Sequence, residues 1–179
     1  MGGFAKGAWN FVFLGCEGAP ESHCGNDDIP ATTIDETPLI AEKPYITIDS
    51  DGKYYLKRPK YKTATQGVDW DDADVFDFSL VYVASDKDLA ADINGKLAEG
   101  LHVVLQPGNY NLEESLKISY DGQVLLGIGM ATLTSTQGNA CIEVSDGIDA
   151  RIAGLLLGAG TVKSDQLLKW GSDPSKGNP

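Results

Sequence analysis

Between residues 85 and 100 the apolar positions fall on one helical face. Leu89, Ile93 and Leu97 are spaced by four, with Ala90 beside them. Ser85 followed by Asp88 has the form of a capping box, and Asp86 and Asp88 suit the positive end of a helix. Gly100 supplies a stop. The pattern predicts a helix over 85–100. After Gly100 the rhythm changes to short apolar stretches at 101–105, 116–118, 124–128, 131–133, 141–144, 152–157 and 167–170, punctuated by Gly, Asn, Asp and Ser. From Leu116 to Cys141 is 25 residues, from Ile142 to Leu168 is 26, and from Gly127 to Gly154 is 27. A period of this length built from strands and turns predicts a β-solenoid, each coil laying its strands on those of the last. Such a stack begins with an exposed core and unpaired strand edges, and an amphipathic helix just before the first coil is the right size to cover them.

The first eighty residues are less regular. Trp9, Phe11 and Phe13 share one face of a dense apolar strand over 9–14. A strand this hydrophobic needs partners on its edges, and none is obvious nearby. Residues 15–44 are rich in Gly, Pro, Asp and Thr and read as loop or linker. Residues 45–56 alternate apolar and polar around Asp49-Ser50-Asp51-Gly52, which predicts a β-hairpin. The Asp49/Asp51 pair does not have the spacing of an EF-hand loop, and a turn accounts for it. Residues 57–80 are mixed and polar, with an acidic run at Asp71, Asp72, Asp74 and Asp77 that reads as solvated linker.

Charge narrows the partners. The net charge is -12. No basic stripe offers itself to nucleic acid, and an acidic surface disfavours anionic lipids and anionic polymers, but a neutral polysaccharide raises no such objection. No apolar run is long enough to span a membrane, and the first residues lack the layout of a signal peptide, so an export signal is not expected on this chain. Cys16 and Cys24 can close a small disulfide loop in an oxidising compartment. Cys16, His23 and Cys24 lack a fourth ligand, so no metal site and no cofactor is expected. Cys141, between Ala140 and Ile142, reads as a small core residue.

A family comes into view in the second half. The stretch Gly100-Leu101-His102-Val103-Val104-Leu105-Gln106-Pro107-Gly108-Asn109-Tyr110-Asn111-Leu112 resembles the opening of pectin-lyase-like right-handed parallel β-helices, where a strand runs into a Pro-Gly-x-Tyr turn. Five segments also resemble, in order, glycoside hydrolase family 55: Trp9 to Cys16, Glu42 to Tyr45, Ala90 to Asn94, Leu126 to Leu133 and Val162 to Leu168. Members of that family are secreted exo-β-1,3-glucanases (laminarinases) with two tandem β-helices. The resemblance implies an all-β protein in which residues 1–16 are the last strand of a first β-helix. Residues 17–80 are then a linker carrying the 45–56 hairpin. Residues 81–179 are the capping helix and first rungs of a second β-helix. The missing flanking β-helix is the implied partner within the same protein. It also implies extracellular, inverting hydrolysis of β-1,3-glucan from a chain end, with the catalytic acid downstream of Pro179.

Such a reaction needs a protonated carboxylic acid at the leaving oxygen and a base or positioned polar groups for water. Glu113 and Glu114 are neighbours, so at most one can face a groove, and a solvated turn after Tyr110 accounts for them better. Glu143, on a strand beside Cys141 and Ile142, can line a groove if it points outward. Trp70 and Trp170 can stack on sugar rings, although core packing or a linker contact explains each equally well. His23 and His102 have no triad layout and read as structural or exposed. Gly127-Ile128-Gly129 lacks the helix a dinucleotide loop requires. Two functions follow from these residues: a segment of a β-1,3-glucanase that is incomplete by itself, or a non-catalytic β-helix used for carbohydrate binding or adhesion.

Overall fold

The computed structural model describes residues 12–23, 26–67 and 72–172. In chain order the first strands are β1 (Val12–Leu14), β2 (Ser22–His23), β3 (Asn26–Pro30), β4 (Thr32–Ile34), β5 (Thr37–Ile40), β6 (Tyr45–Ile48), β7 (Tyr54–Pro59), β8 (Lys62–Thr65) and β9 (Ala73–Asp77). They are followed by β10 (Val81–Ala84), the helix α1 (Ala90–Ala98), β11 (His102–Leu105), β12 (Asn109–Leu112) and β13 (Leu116–Ile118). The last strands are β14 (Val124–Ser135), β15 (Ile142–Val144), β16 (Arg151–Ala159) and β17 (Leu168–Trp170). The described residues fall into two compact units, one within Met1–Glu42 and Pro59–Asp74, the other within Lys43–Arg58 and Val75–Pro179.

In the first unit β1 runs parallel to β4, β2 antiparallel to β3, and β5 antiparallel to β8. Phe13 is buried between exposed Val12 and Leu14, while Trp9 and Phe11, expected on its face, lie outside the described residues. Residues 17–80, expected as linker around one hairpin, carry eight strands among the described residues, β2 to β9. Apart from the hairpin strands β6 and β7, these strands are illegible in the sequence because they are short and mostly polar. β4 is exposed throughout, so no alternation of apolar and polar residues marks it.

The second unit is a right-handed parallel β-helix. The coil has three sides, the first, second and third sheets, although β14 and β16 run through the first two: β10-β11-β14-β16, then β12 with the second halves of β14 and β16, then β13-β15-β17. All these pairings are parallel. Leu116 sits beside Ile142, not Cys141, so the third sheet repeats every 26 residues in both of its steps. Inward side chains stack in columns such as Tyr110-Leu133-Leu157 and Leu116-Ile142-Leu168. In the first two coils these columns form one closed core with Val103, Leu105, Leu112, Ile118, Leu125 and Val144. The hydroxyl of Tyr110 stays inside by donating to the carbonyls of Ala84 and Gln106, at 3.1 and 3.0 Å.

The helix covers the start of this core with Ala90, Ile93 and Leu97. It begins at Ala90, not at 85. Leu89 is 68% exposed with extended backbone and is no part of the buried stripe. The Ser85/Asp88 pair does form: the Asp88 carboxylate accepts from the Ser85 N–H at 2.8 Å. It closes a turn that redirects the chain out of β10, and Asp92 accepts from the Leu89 N–H at 3.1 Å to start the helix. Asn94 then does what a neighbouring strand would do. Its amide donates to the Ser115 carbonyl and accepts from the Lys117 N–H, both at 2.9 Å, so the free edge of β13 is paired. Gln123 donates to the carbonyls of Leu97 and Leu101, at 2.9 and 2.8 Å, satisfying acceptors at the helix C-terminus.

The 45–56 hairpin forms as β6 and β7, with Ile46 opposite Leu56 and Ile48 opposite Tyr54. Asp49 holds the turn by accepting from the N–H groups of Asp51 and Lys53, both at 2.9 Å, so this aspartate serves the turn and no calcium is needed to explain it. The hairpin lies on the outward side of the first sheet. Leu56, fully buried, packs on Val104, Val124 and Leu126, with Ile46, Phe76 and Phe78 around them. His102 is buried at the edge of this second core, its ring 4.1 Å from that of Phe76. Its Nδ1 accepts from the Val124 N–H at 3.1 Å. Burial and the nearby Arg58 guanidinium lower its pKa to about 4. Arg58 stands over the Phe76 ring and donates to the Gly122 carbonyl at 2.5 Å, closing the margin between hairpin and coil.

Candidate functional site

Strand alternation decides which side chains leave the third sheet. Leu116 and Ile118 point inward on β13, Ile142 and Val144 on β15, so Lys117 and Glu143 point outward. Register sets Lys117 beside Glu143 and Glu143 beside Lys169. Below this row lie Ser119, Ser145, Asp146 and Ser172, and together they line a shallow depression of about 270 Å³. Ser145 and Ser119 place their hydroxyl oxygens 3.4 Å apart. Asp146 accepts from both the N–H and the hydroxyl of Ser172 at 2.6 Å, which fixes the rim. Glu143 accepts from the Ser115 hydroxyl at 3.3 Å. Lys117 turns along its own strand to Glu114, at 3.4 Å. Among the described residues neither lysine forms an ion pair with Glu143. The depression thus offers donors and acceptors side by side on rigid strands.

A larger hollow of about 430 Å³ lies where β14 bulges, between Leu126 and Ala131, over the next coil. Lys43, Ile128, Met130, Leu155 and Leu156 line it. Gly129 and Met130 both have positive φ, 58° and 64°. Glycine is required at 129 for space as well, since an added Cβ would stand 2.5 Å from a ring carbon of Pro107. Met130 carries the left-handed conformation without that freedom and projects 72% exposed.

The sequence candidates are scattered with respect to these hollows. Glu143 lies in the first. Glu114 is tied to Lys117 at its edge, and Glu113 is exposed in the turn after β12. Trp170 pairs with Val144 and so occupies an inward column, not the groove wall. Trp70 and Cys24 lie outside the described residues. Cys16 is half-buried, its thiol 3.4 Å from the Leu14 carbonyl. Cys141 is core, as its apolar neighbours suggest, with its thiol raised in pKa by burial. Lys117, Lys169 and the serine row escape sequence reading. Each is an ordinary surface residue type, and only the 26-residue register applied residue by residue could have aligned them. No group of three or more potential metal ligands occurs among the described residues.

Comparison with known proteins adds four findings. The profile of the LAM55 pectate lyase-like domain family matches residues 81–178. An exo-β-1,3-glucanase of Streptomyces sp. (strain SirexAA-E / ActE) is 34% identical over 182 residues, covering 99% of this chain and 30% of that protein. The solved structure of sacteLam55A from Streptomyces sp. SirexAA-E superimposes with a TM-score of 0.85 at 33% identity, over 95% of this chain and 31% of that one. A variant of sacteLam55A in complex with glucose gives a TM-score of 0.83 at 32% identity, with the same coverage. This chain therefore spans about 30% of the length of the curated relative it matches.

Proposed function

The chain belongs to the LAM55 pectate lyase-like domain family, and from that membership we propose that it is part of an exo-acting β-1,3-glucan hydrolase. The observation that carries this reading is the extent of the likeness: similarity to the Streptomyces exo-β-1,3-glucanase runs through 99% of the chain, including both compact units. In this reading residues 1–16 close a first β-helix, residues 17–80 connect, and residues 81–179 cap and open a second. The parallel pairing of β1 with β4 supports a coil at this end, one that takes in β4 from the connecting residues, since parallel pairs belong to coils and crossovers. Exposure in the last coil supports the third. Leu168 and Trp170 hold inward columns yet keep 40% and 38% of their surface exposed, where Ile142 and Val144 keep 0% and 4%. A further coil stacked on β17 would cover them.

The enzyme works outside the cell on laminarin-type glucan and inverts the anomeric centre, and its catalytic acid comes from sequence beyond residues 1–179. Glucose release from laminarin tests this. Residues 1–179 alone should release none, while the gene product extended past Pro179 should release glucose from chain ends in the inverted anomer. Release by residues 1–179 that disappears on Glu143→Gln or Glu114→Gln would place the acid within this chain. An extended product that binds laminarin and never cleaves it would make the protein a binding or adhesion module.

A further inference from the structure

We propose that the outward face of β13, β15 and β17 is a glycan-binding surface, taking one or two rings of a neutral gluco-oligosaccharide against Lys117, Glu143 and Lys169. The argument begins with what the three side chains leave undone. Neighbouring parallel strands lie about 4.8 Å apart, so a carboxylate flanked on both sides by lysines in register is well placed for ion pairs. Neither pair forms: Lys117 is drawn to Glu114, and Glu143 takes only the Ser115 hydroxyl, at 3.3 Å. The row therefore presents an acceptor between two donors, each with hydrogen-bonding capacity to spare.

Adjacent hydroxyls of a sugar ring both donate and accept. A carboxylate beside an ammonium matches such a pair, with the carboxylate accepting from one hydroxyl and the ammonium donating to the next. Charge argues against an anionic ligand: two lysines stand against Glu143 and Asp146, with Glu114 on Lys117 at the edge, so an anion gains no net attraction, and a neutral ligand raises no such objection. The serine hydroxyls of Ser119, Ser145 and Ser172 extend the polar floor, and the hollow of about 270 Å³ has the scale of a subsite rather than a long cleft. β15, which carries Glu143, is held on both sides by parallel pairing, so little ordering of it is left for binding to supply.

The glucose-based choice of ligand rests on the proposed glucanase role, whereas the site itself rests on the row. The test is titration of the isotope-labelled chain with laminaritriose, followed by amide shifts, with xylotriose and sodium phosphate as parallel probes. The expected result is saturable shifts confined to 115–119, 143–146 and 169–172. Glu143→Gln and Lys169→Ala should each weaken binding by about tenfold or more, the scale of one lost charge-assisted hydrogen bond. Ser145→Tyr, which fills the hollow, should abolish it, and the dispersion of the amide spectrum reports folding of each variant. Saturable shifts with xylotriose but not laminaritriose would keep the site and overturn the β-1,3-glucan reading. Shifts from phosphate alone, shifts elsewhere, or none would overturn the site.

Discussion

On the first sheet of the solenoid the outward residues of β11 and β14 are Val104, Val124 and Leu126, and the hairpin seals them under Leu56. On the third sheet the outward residues of β13, β15 and β17 are Lys117, Glu143 and Lys169, and they stand open around a hollow. Both faces have parallel ladders and an apolar inner side packed into the same core. The backbone is thus indifferent to use. Parallel sheets are ordinarily covered on both faces, because their strands are apolar on both, and the first sheet obeys that rule with the hairpin as its cover. The third departs from it by placing polar residues outward, and that departure is what leaves a surface for a ligand.

The sharpest way to break the comparison is to empty the cover. Leu56→Ala should cost about 2–5 kcal/mol, as for other fully buried leucines, read as a lowered denaturant midpoint at unchanged slope. A loss below about 1 kcal/mol would mean that the hairpin adds little to the coil.

Protonation attacks the same seam from another side. His102 has a folded pKa of about 4 against about 6.5 when unfolded, so between those values the unfolded chain takes up the proton first. Stability from this group is complete above about pH 6.5 and is lost as pH falls toward about 4. A shift of that size corresponds to about 3 kcal/mol. A protonated Nδ1 could no longer accept from the Val124 N–H, so loosening should begin at the hairpin margin. Denaturation at pH 7 and pH 4.5 measures it, and His102→Phe should flatten the difference. An equal pH slope in that variant would remove His102 as the cause.

At the helix cap, Asn94→Ala removes two hydrogen bonds to β13 and should cost about 1–2 kcal/mol. Faster amide exchange at Lys117, with the hairpin amides unchanged, would show that the cap and the cover act independently. The smallest effect belongs to the open face. Lys169→Ala should change stability by less than about 0.5 kcal/mol, since this half-buried residue on the outward face forms no ion pair with Glu143. A larger loss would mean that the row is structural and not a surface kept free for ligand.

Some of this was legible from the residues alone. The 26-residue rhythm announces a solenoid because each coil touches only its neighbours, so period and pairing are one property. The Asp49-Ser50-Asp51-Gly52 turn and the Ile93/Leu97 stripe are equally local, and both appear where the pattern puts them. Even there a signature can be real and serve another element: Ser85 and Asp88 bond as a capping pair but close a turn, because β10 must first be redirected before α1 can begin.

The rest depended on partners distant in sequence. Nothing around Leu56 says that it will lie on Val104 and Val124, and nothing around His102 says that Phe76 and Arg58 will bury it. Trp170 reads equally as a sugar platform or a packing residue until register sets it beside Val144 in an inward column. Glu143 gains its meaning in the same way, from two lysines 26 residues away on either side. A chain can encode its own repeat in local spacing. Which outward face is sealed and which stays open is decided only when a separate segment folds back and buries apolar surface on one of them.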